Sequence, residues 1–138
     1  MEWVRAMVRR HDWAARMFDV VTAHQNRAFE WGSADCCLFV ARVIDAMTDS
    51  DLEAQISARY SDEASALRFI AEHGSLEDAV SFYLGDLQAV SPQRGDAVLI
   101  HGGEDFAVGV CLGGSVAGMG PRGLHLIPVS EVIGVWKV

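Results

Sequence analysis

After Pro92 the spacing of apolar residues changes from a helical period to an alternating one, and that change constrains the fold more than any other feature of the chain. Before it lie four helical stretches. Trp13, Met17, Val20, Val21 and His24 recur on one face of the first, which Asp12 is placed to cap and which runs to about His24. Cys36, Phe39, Val40, Val43, Ile44 and Met47 make the stripe of the second, with Ser33 and Asp35 both suited to cap it. Ser61 is expected to cap the third, with Asp62 and Glu63 in its positive first turn and Gly74 as its stop. Ser75 caps the fourth, from Leu76 to about Leu84, where Gly85 ends it; Ser75 and Asp78 have capping-box spacing.

Beyond Pro92 the segments are short and turn-punctuated. Gly95 and Asp96 open AVLI, a strand ending at His101, and HGGED is turn chemistry. FAVGVCL alternates, with Phe106, Val108, Val110 and Leu112 on one face and Ala107, Gly109 and Cys111 on the other. Gly113-Gly114 makes a tight turn, further strands follow around Val116 and from Leu124 to Ile127, and IGVWKV is the last. Helices first and an antiparallel meander after read as α+β, with helices covering one side of a small, curled sheet. The small face of Ala107, Gly109 and Cys111 lets another backbone come close, and the helix of Cys36 is the expected neighbour.

A chain of 138 residues is one domain by size. The helical part is 12–85 and the sheet 95–138, while residues 1–11 either extend the first helix or form an N-terminal arm. Eleven Lys and Arg against 19 Asp and Glu give a net charge of −8, which disfavours nucleic acid as a partner. Arg5, Arg9, Arg10, Arg16 and Arg27 in the first 27 residues read as a solvated helix face. No apolar run approaches the ~18 residues of a membrane span, and MEWVRAMVRR lacks the apolar stretch of a signal peptide, so synthesis and folding in a cytoplasm are expected. Three cysteines, two of them adjacent, do not make a disulfide framework, and their spacing matches no zinc pattern. No metal and no cofactor are expected. The four tryptophans read as packing residues, with Trp31 fixing the turn before Cys36.

The stretch WGSADCCLFV concentrates the functional question. A cysteine at a helix start is biased toward the thiolate, the reactive form, whereas a free cysteine on a buried stripe is ordinarily a small core residue. Cys36 meets both descriptions, since it lies on the stripe and in the first turn; Cys37 lies off the centre and reads as packing. Asp35 opposes a thiolate if its carboxylate stays near the sulfur, and does not if it turns to cap backbone amides.

These residues carry a resemblance. FEWGSADCCLFVARVIDAMT, RGDAVL and VGVCLGG, flanked by DWAARMFDVV, Tyr60-Ser61, EASALRFIAEHG, GPRGLHLIPV and VWKV, resemble the NlpC-type cell-wall endopeptidases, and more closely a short group carried by phages and prophages. The resemblance spans nearly everything from Asp12 onward and implies a papain-like NlpC-type fold, the helices packed on a small antiparallel curled sheet or half-barrel. It implies that Cys36 stands at the nucleophile position for cleavage of cell-wall stem peptides. It also implies tail-tip or hub proteins as partners, peptidoglycan peptide as the ligand of an active member, and a place in the virion tail after synthesis in a bacterial cytoplasm. The departure is at the base. Catalytic relatives place a histidine immediately before the VGI-like segment, where this chain has Ala107, and the strand from Val116 to Met119 offers no polar orienting group. His101 is the candidate substitute if it sits opposite Ala107 across the hairpin, and His125, between Leu124 and Leu126, is the alternative. His11, His24 and His73 read as helix-surface or cap residues. Two functions therefore stand side by side: a cysteine peptidase or amidase with an incomplete triad, and a non-catalytic tail-tip or hub module built on the same fold. A papain-like transferase acting elsewhere than the wall is a third.

Overall fold

The computed structural model describes residues 8–100 and 107–138. Among these residues five helices, α1 (Trp13–His24), α2 (Cys36–Thr48), α3 (Leu52–Ser57), α4 (Glu63–His73) and α5 (Leu76–Leu84), precede the strands. Strands β1 (Ala97–Ile100), β2 (Val108–Cys111), β3 (Ser115–Gly120) and β4 (Gly123–Pro128) follow, then a short 3-10 turn and β5 (Val132–Trp136). The strands form one antiparallel sheet in the order β4-β3-β2-β1-β5. The architecture is α+β, as the change of period at Pro92 implies.

Helix α2 is the centre of the helical layer. It begins where the Asp35 carboxylate accepts the Leu38 amide at 2.9 Å and ends at Asp49, which adopts a left-handed φ of 56°. Leu38, Phe39, Val40, Ala41, Val43, Ile44 and Met47 are all buried, because α1, α3 and the sheet enclose the helix on different sides. Caps elsewhere differ in detail from the sequence reading. Asp12 does not cap α1; its carboxylate lies 3.1 Å from Arg16 Nε, one turn along, and that ion pair takes the acceptor. Helix α4 is capped by Asp62 rather than Ser61, through a reciprocal bond with Ser65 that satisfies two amides at once. Ser75 caps α5 as expected, accepting the Asp78 amide at 3.0 Å.

The sheet is buried on both faces. Ala97, Leu99, Val108, Val110, Ala117, Met119 and Trp136 join the helices in the main core. Val98, Ile100, Cys111, Val116 and Val135 pack together on the other side. Most of α2 thus meets the valine face of β2, and only Cys36 at the helix start also packs against the cluster that holds Cys111 of the small face. Large apolar side chains on both partners bury more area than a glycine and a cysteine can, and the small residues are left to the crowded second cluster.

Residues 8–10 are not helical. Arg10 N–H donates to Met47 O at 2.7 Å, and Arg9 reaches across the fold to Asp96 at 3.4 Å, to Arg94 O at 3.0 Å and to Val138 O at 2.9 Å. Fully buried Asp96 also holds Lys137 Nζ at 2.5 Å and the amides of Gln93 and Val138. Its charge is therefore matched on several sides, which is the condition for burying a carboxylate. Of the arginines near the start of the chain, Arg9 pairs with buried Asp96, while Arg10 with Asp12 and Asp49, Arg16 with Asp12 and Arg27 with Ser33 pair at the solvated surface; Arg5 lies outside the described residues.

Candidate functional site

The turn leading into α2 is a small closed unit. Glu30 and Ala34 exchange backbone bonds at 3.1 and 2.7 Å, and the reversal between them is made by Gly32 at φ +80°. Only glycine enters that region without strain. Gly32 also lies directly on the backbone of Ser61, where an added Cβ would stand 2.4 Å from the Ser61 oxygen. Its N–H donates to Asp35 Oδ2 at 3.0 Å, while Asp35 Oδ1 accepts from the Leu38 amide at 2.9 Å and from the Tyr60 hydroxyl at 3.0 Å. WGSAD and Tyr60-Ser61 are the two halves of one clamp: the Ser61 backbone supports the glycine and the Tyr60 ring delivers a hydrogen bond to the cap. Burial, reinforced by the Asp35 charge, pushes the Tyr60 hydroxyl well above its ordinary value, so it remains a donor.

Asp35 is 1% exposed and its two oxygens are spent on three donors. It is a cap and an anchor for the turn. Behind it, Arg42 of α2 bonds the Ser33 carbonyl, lies 2.7 Å from Glu53 of α3, and approaches His24 Nε2 at 3.3 Å.

The clamp delivers the Cys36 sulfur to the start of β2. The Cys37 thiol is the largest influence favouring the Cys36 anion, the amides of Ala107 and Cys37 add to it, and together they hold the sulfur below the ordinary cysteine value despite burial and the nearby Asp35 charge. Cys37, which keeps its proton and directs it toward Cys36 while partly buried, is pushed well above that value. It lines a cavity of about 30 Å³ with Val40, Ala41, Ile44, Phe69 and Trp136 among its walls. A hole of this size, without polar walls, stays dry. Both thiols are half-buried against the main core, and Cys36 alone also packs against the second cluster, which holds Cys111.

Sequence reasoning brought Cys36, Asp35 and Ala107 together, and the structure does place them around one sulfur. At Ala107, where the resemblance implies a histidine, the group that bears on the sulfur is a backbone amide. Of the candidate substitutes, His101 lies outside the described residues. Its expected partner is nevertheless displaced: Ile100 N–H donates to Ala107 O at 2.9 Å, continuing a register in which Leu99 opposes Val108. Ala107 therefore faces Ile100, one residue short of the pairing that put His101 across from it, and a slip of one residue changes the face. His125 lies opposite Gly118, and its Nδ1 is 2.9 Å from the Gly123 carbonyl of its own strand. His73 sits among Phe69, Phe82 and Tyr83. His24 is not a surface residue: it is 3% exposed, bonded to Val20 O at 2.9 Å and set edge-on against Phe39.

Tyr60 is the site residue that the sequence reading quoted without giving it a role. Nothing local marks it, because its partner Asp35 is 25 residues away.

Chemically, the site is a thiol biased toward its anion, with the amides of Cys37 and Ala107 favouring that form and an alanine at position 107 that offers no side-chain proton acceptor. Such a sulfur attacks an activated electrophile. It does not cleave an amide unaided, because the departing amine needs a proton delivered to it. Iodoacetamide is expected to modify Cys36 before Cys37 and Cys111 in the folded chain. The rate should level off below the pH of about 8.5 at which an ordinary thiol ionises. Peptide mapping after timed labelling checks the order, and first modification at Cys37 or Cys111 contradicts it.

Residues 8–138 match the family model described as a domain of unknown function (DUF6950). Comparison with the curated proteins finds no match.

Proposed function

The chain belongs to the DUF6950 family, and from that premise we propose that it is a tail-associated domain of phage or prophage type, with an NlpC-like, papain-like fold, that serves as a non-catalytic part of a tail tip or hub. The observation that carries this reading is that Ala107, whose backbone amide favours the Cys36 anion, stands where the resemblance implies a histidine. The investment of the turn supports it: Gly32, Asp35, Tyr60 and Arg42 hold the helix start in place whether or not the sulfur reacts. The tail setting and the tail-tip or hub partners rest on the resemblance of the motifs around Cys36, Gly95-Asp96 and Val108–Cys111, as does a route from bacterial cytoplasm to virion.

The depressed ionisation of Cys36 favours a second reading, a peptidase or amidase acting on peptidoglycan stem peptides through an acyl-Cys36 intermediate. In that reading His101 supplies the base.

Purified peptidoglycan separates the two. The wild-type chain is expected to release no more new amino groups than Cys36→Ala, and both proteins are expected to enter tails purified from the producing strain in equal amount. Amine release that disappears in Cys36→Ala and in His101→Ala would instead establish the enzyme. Absence of the chain from purified tails would remove the assembly role.

A further inference from the structure

We propose that His24 is a pH-sensitive latch on the turn that carries Cys36: protonating its ring releases Arg42, and through Arg42 loosens the Ser33 carbonyl and the Gly32–Asp35 turn. The inference goes beyond the functional reading above, because it holds whether Cys36 reacts or only packs.

The geometry assigns the proton. Arg42 can only donate, so His24 Nε2, 3.3 Å from Arg42 Nη1, accepts. The ring proton is then on Nδ1, which donates to Val20 O at 2.9 Å. The ring is neutral, both its nitrogens are in use, and it is 3% exposed. A second proton has one place to go, Nε2, and there it meets the guanidinium head-on.

The charges facing the ring come from each element packed on it. Arg42 projects from α2, Glu53 from α3 and Arg27 from the segment after α1, while α2 also contributes the uncharged Phe39 ring. Burial is the largest influence on the ring and disfavours its charged form; Arg42 and Arg27 act the same way, and the Val20 carbonyl and Glu53 act against them. The balance keeps the ring below the ordinary histidine value. When the ring does charge, the acidic acceptor facing it is Glu53, which is already engaged with Arg42 Nε at 2.7 Å. Protonation thus removes one anchor of Arg42 outright and competes for a second. The remaining one is the Ser33 carbonyl. Ser33 lies between Gly32, which feeds Asp35 Oδ2, and the start of α2.

The test is a nuclear magnetic resonance titration of the full chain from pH 7.5 to 4.5, following the His24 ring and the amides of Gly32, Ser33 and Leu38. The ring is expected to titrate with a midpoint below about 6.5, and the three amides to shift with that same midpoint. In His24→Gln the amide titration should vanish. In Glu53→Gln, which removes a group favouring the imidazolium, ring and amide midpoints should fall together. A ring that titrates at the ordinary value overturns the latch. So do turn amides that stay still, amides that keep titrating in His24→Gln, or ring and amide midpoints that separate in Glu53→Gln. Loss of dispersion across the whole spectrum at the His24 midpoint overturns it too, because the event is then global unfolding.

Discussion

Gly32→Ala is expected to cost about 3 kcal/mol or more, from two causes that act together. A non-glycine residue held at positive φ costs roughly 1–3 kcal/mol, and Gly32 sits at φ +80°. The new methyl would also stand 2.4 Å from Ser61 O, 2.6 Å from Ser61 C and 2.8 Å from Ser61 Cα. These are backbone atoms, and they cannot swing aside as the end of a side chain can. Ser61 and Asp62 are pinned through the Ser65 hydroxyl, which accepts both of their amides at 3.0 and 3.1 Å, so moving them unravels the α4 cap. For a domain of this size the loss corresponds to a fall of roughly 10 °C in melting temperature. Gly85→Ala is the control. Gly85 has φ +91° but nothing within 4 Å of its added Cβ, so it carries the dihedral cost without the collision. Gly32→Ala should be clearly the worse of the two in urea or thermal unfolding. Equal losses would mean that the contact with Ser61 does not hold the turn.

The division between what the sequence discloses and what it hides follows the range of the interactions. The fold class and the long helices are legible because hydrophobic period and caps are local: α2 begins at Cys36 and α5 at Leu76, as their caps imply. Helix α3 is illegible for the opposite reason. Its six residues are too few for a stripe, and its first amides, Leu52 and Glu53, are accepted by Asp45 of the preceding helix at 2.8 and 2.9 Å. No residue within LEAQIS advertises that cap. Burial of His24 escapes a sequence reading because it depends on Arg42, 18 residues away. At the site, the spacing around Asp35-Cys36 singles out the sulfur and the resemblance singles out Ala107, but neither points to the Tyr60 hydroxyl or to the Ala107 amide. A backbone donor leaves no trace in residue identity. The facing of β2 went the other way from expectation because alternation names two faces without saying which is covered; here both are, and the valines took the helix.

Asp35→Ala is expected to be the most damaging single change at the site, about 4 kcal/mol, with Asp35→Asn near half of that. Removing the carboxylate orphans the Gly32 amide, the Leu38 amide and the Tyr60 hydroxyl together, and each buried donor left without a partner costs roughly 1–3 kcal/mol before the structure relaxes. Asparagine can keep its oxygen where Oδ1 accepts from Leu38 and Tyr60, but its NH₂ then faces the Gly32 N–H, donor against donor. The opposite flip is worse, since it sets the NH₂ against two donors rather than one. Tyr60→Phe, which removes one of the two hydrogen bonds to Oδ1, should cost only about 1 kcal/mol. Urea unfolding of the three variants is expected to rank them in that order, and an Asp35→Asn protein as stable as wild type would show that the Oδ2 bond to Gly32 contributes nothing. The same substitution has the opposite sign at the sulfur. The Asp35 charge opposes the Cys36 thiolate, and asparagine removes that charge while retaining most of the cap. Cys36 in folded Asp35→Asn should therefore reach its maximal labelling rate at a lower pH than in wild type. A less stable protein with a more acidic Cys36 distinguishes a carboxylate that holds the turn at the expense of the thiolate from one that activates it; a rise in the labelling midpoint would assign Asp35 the activating part.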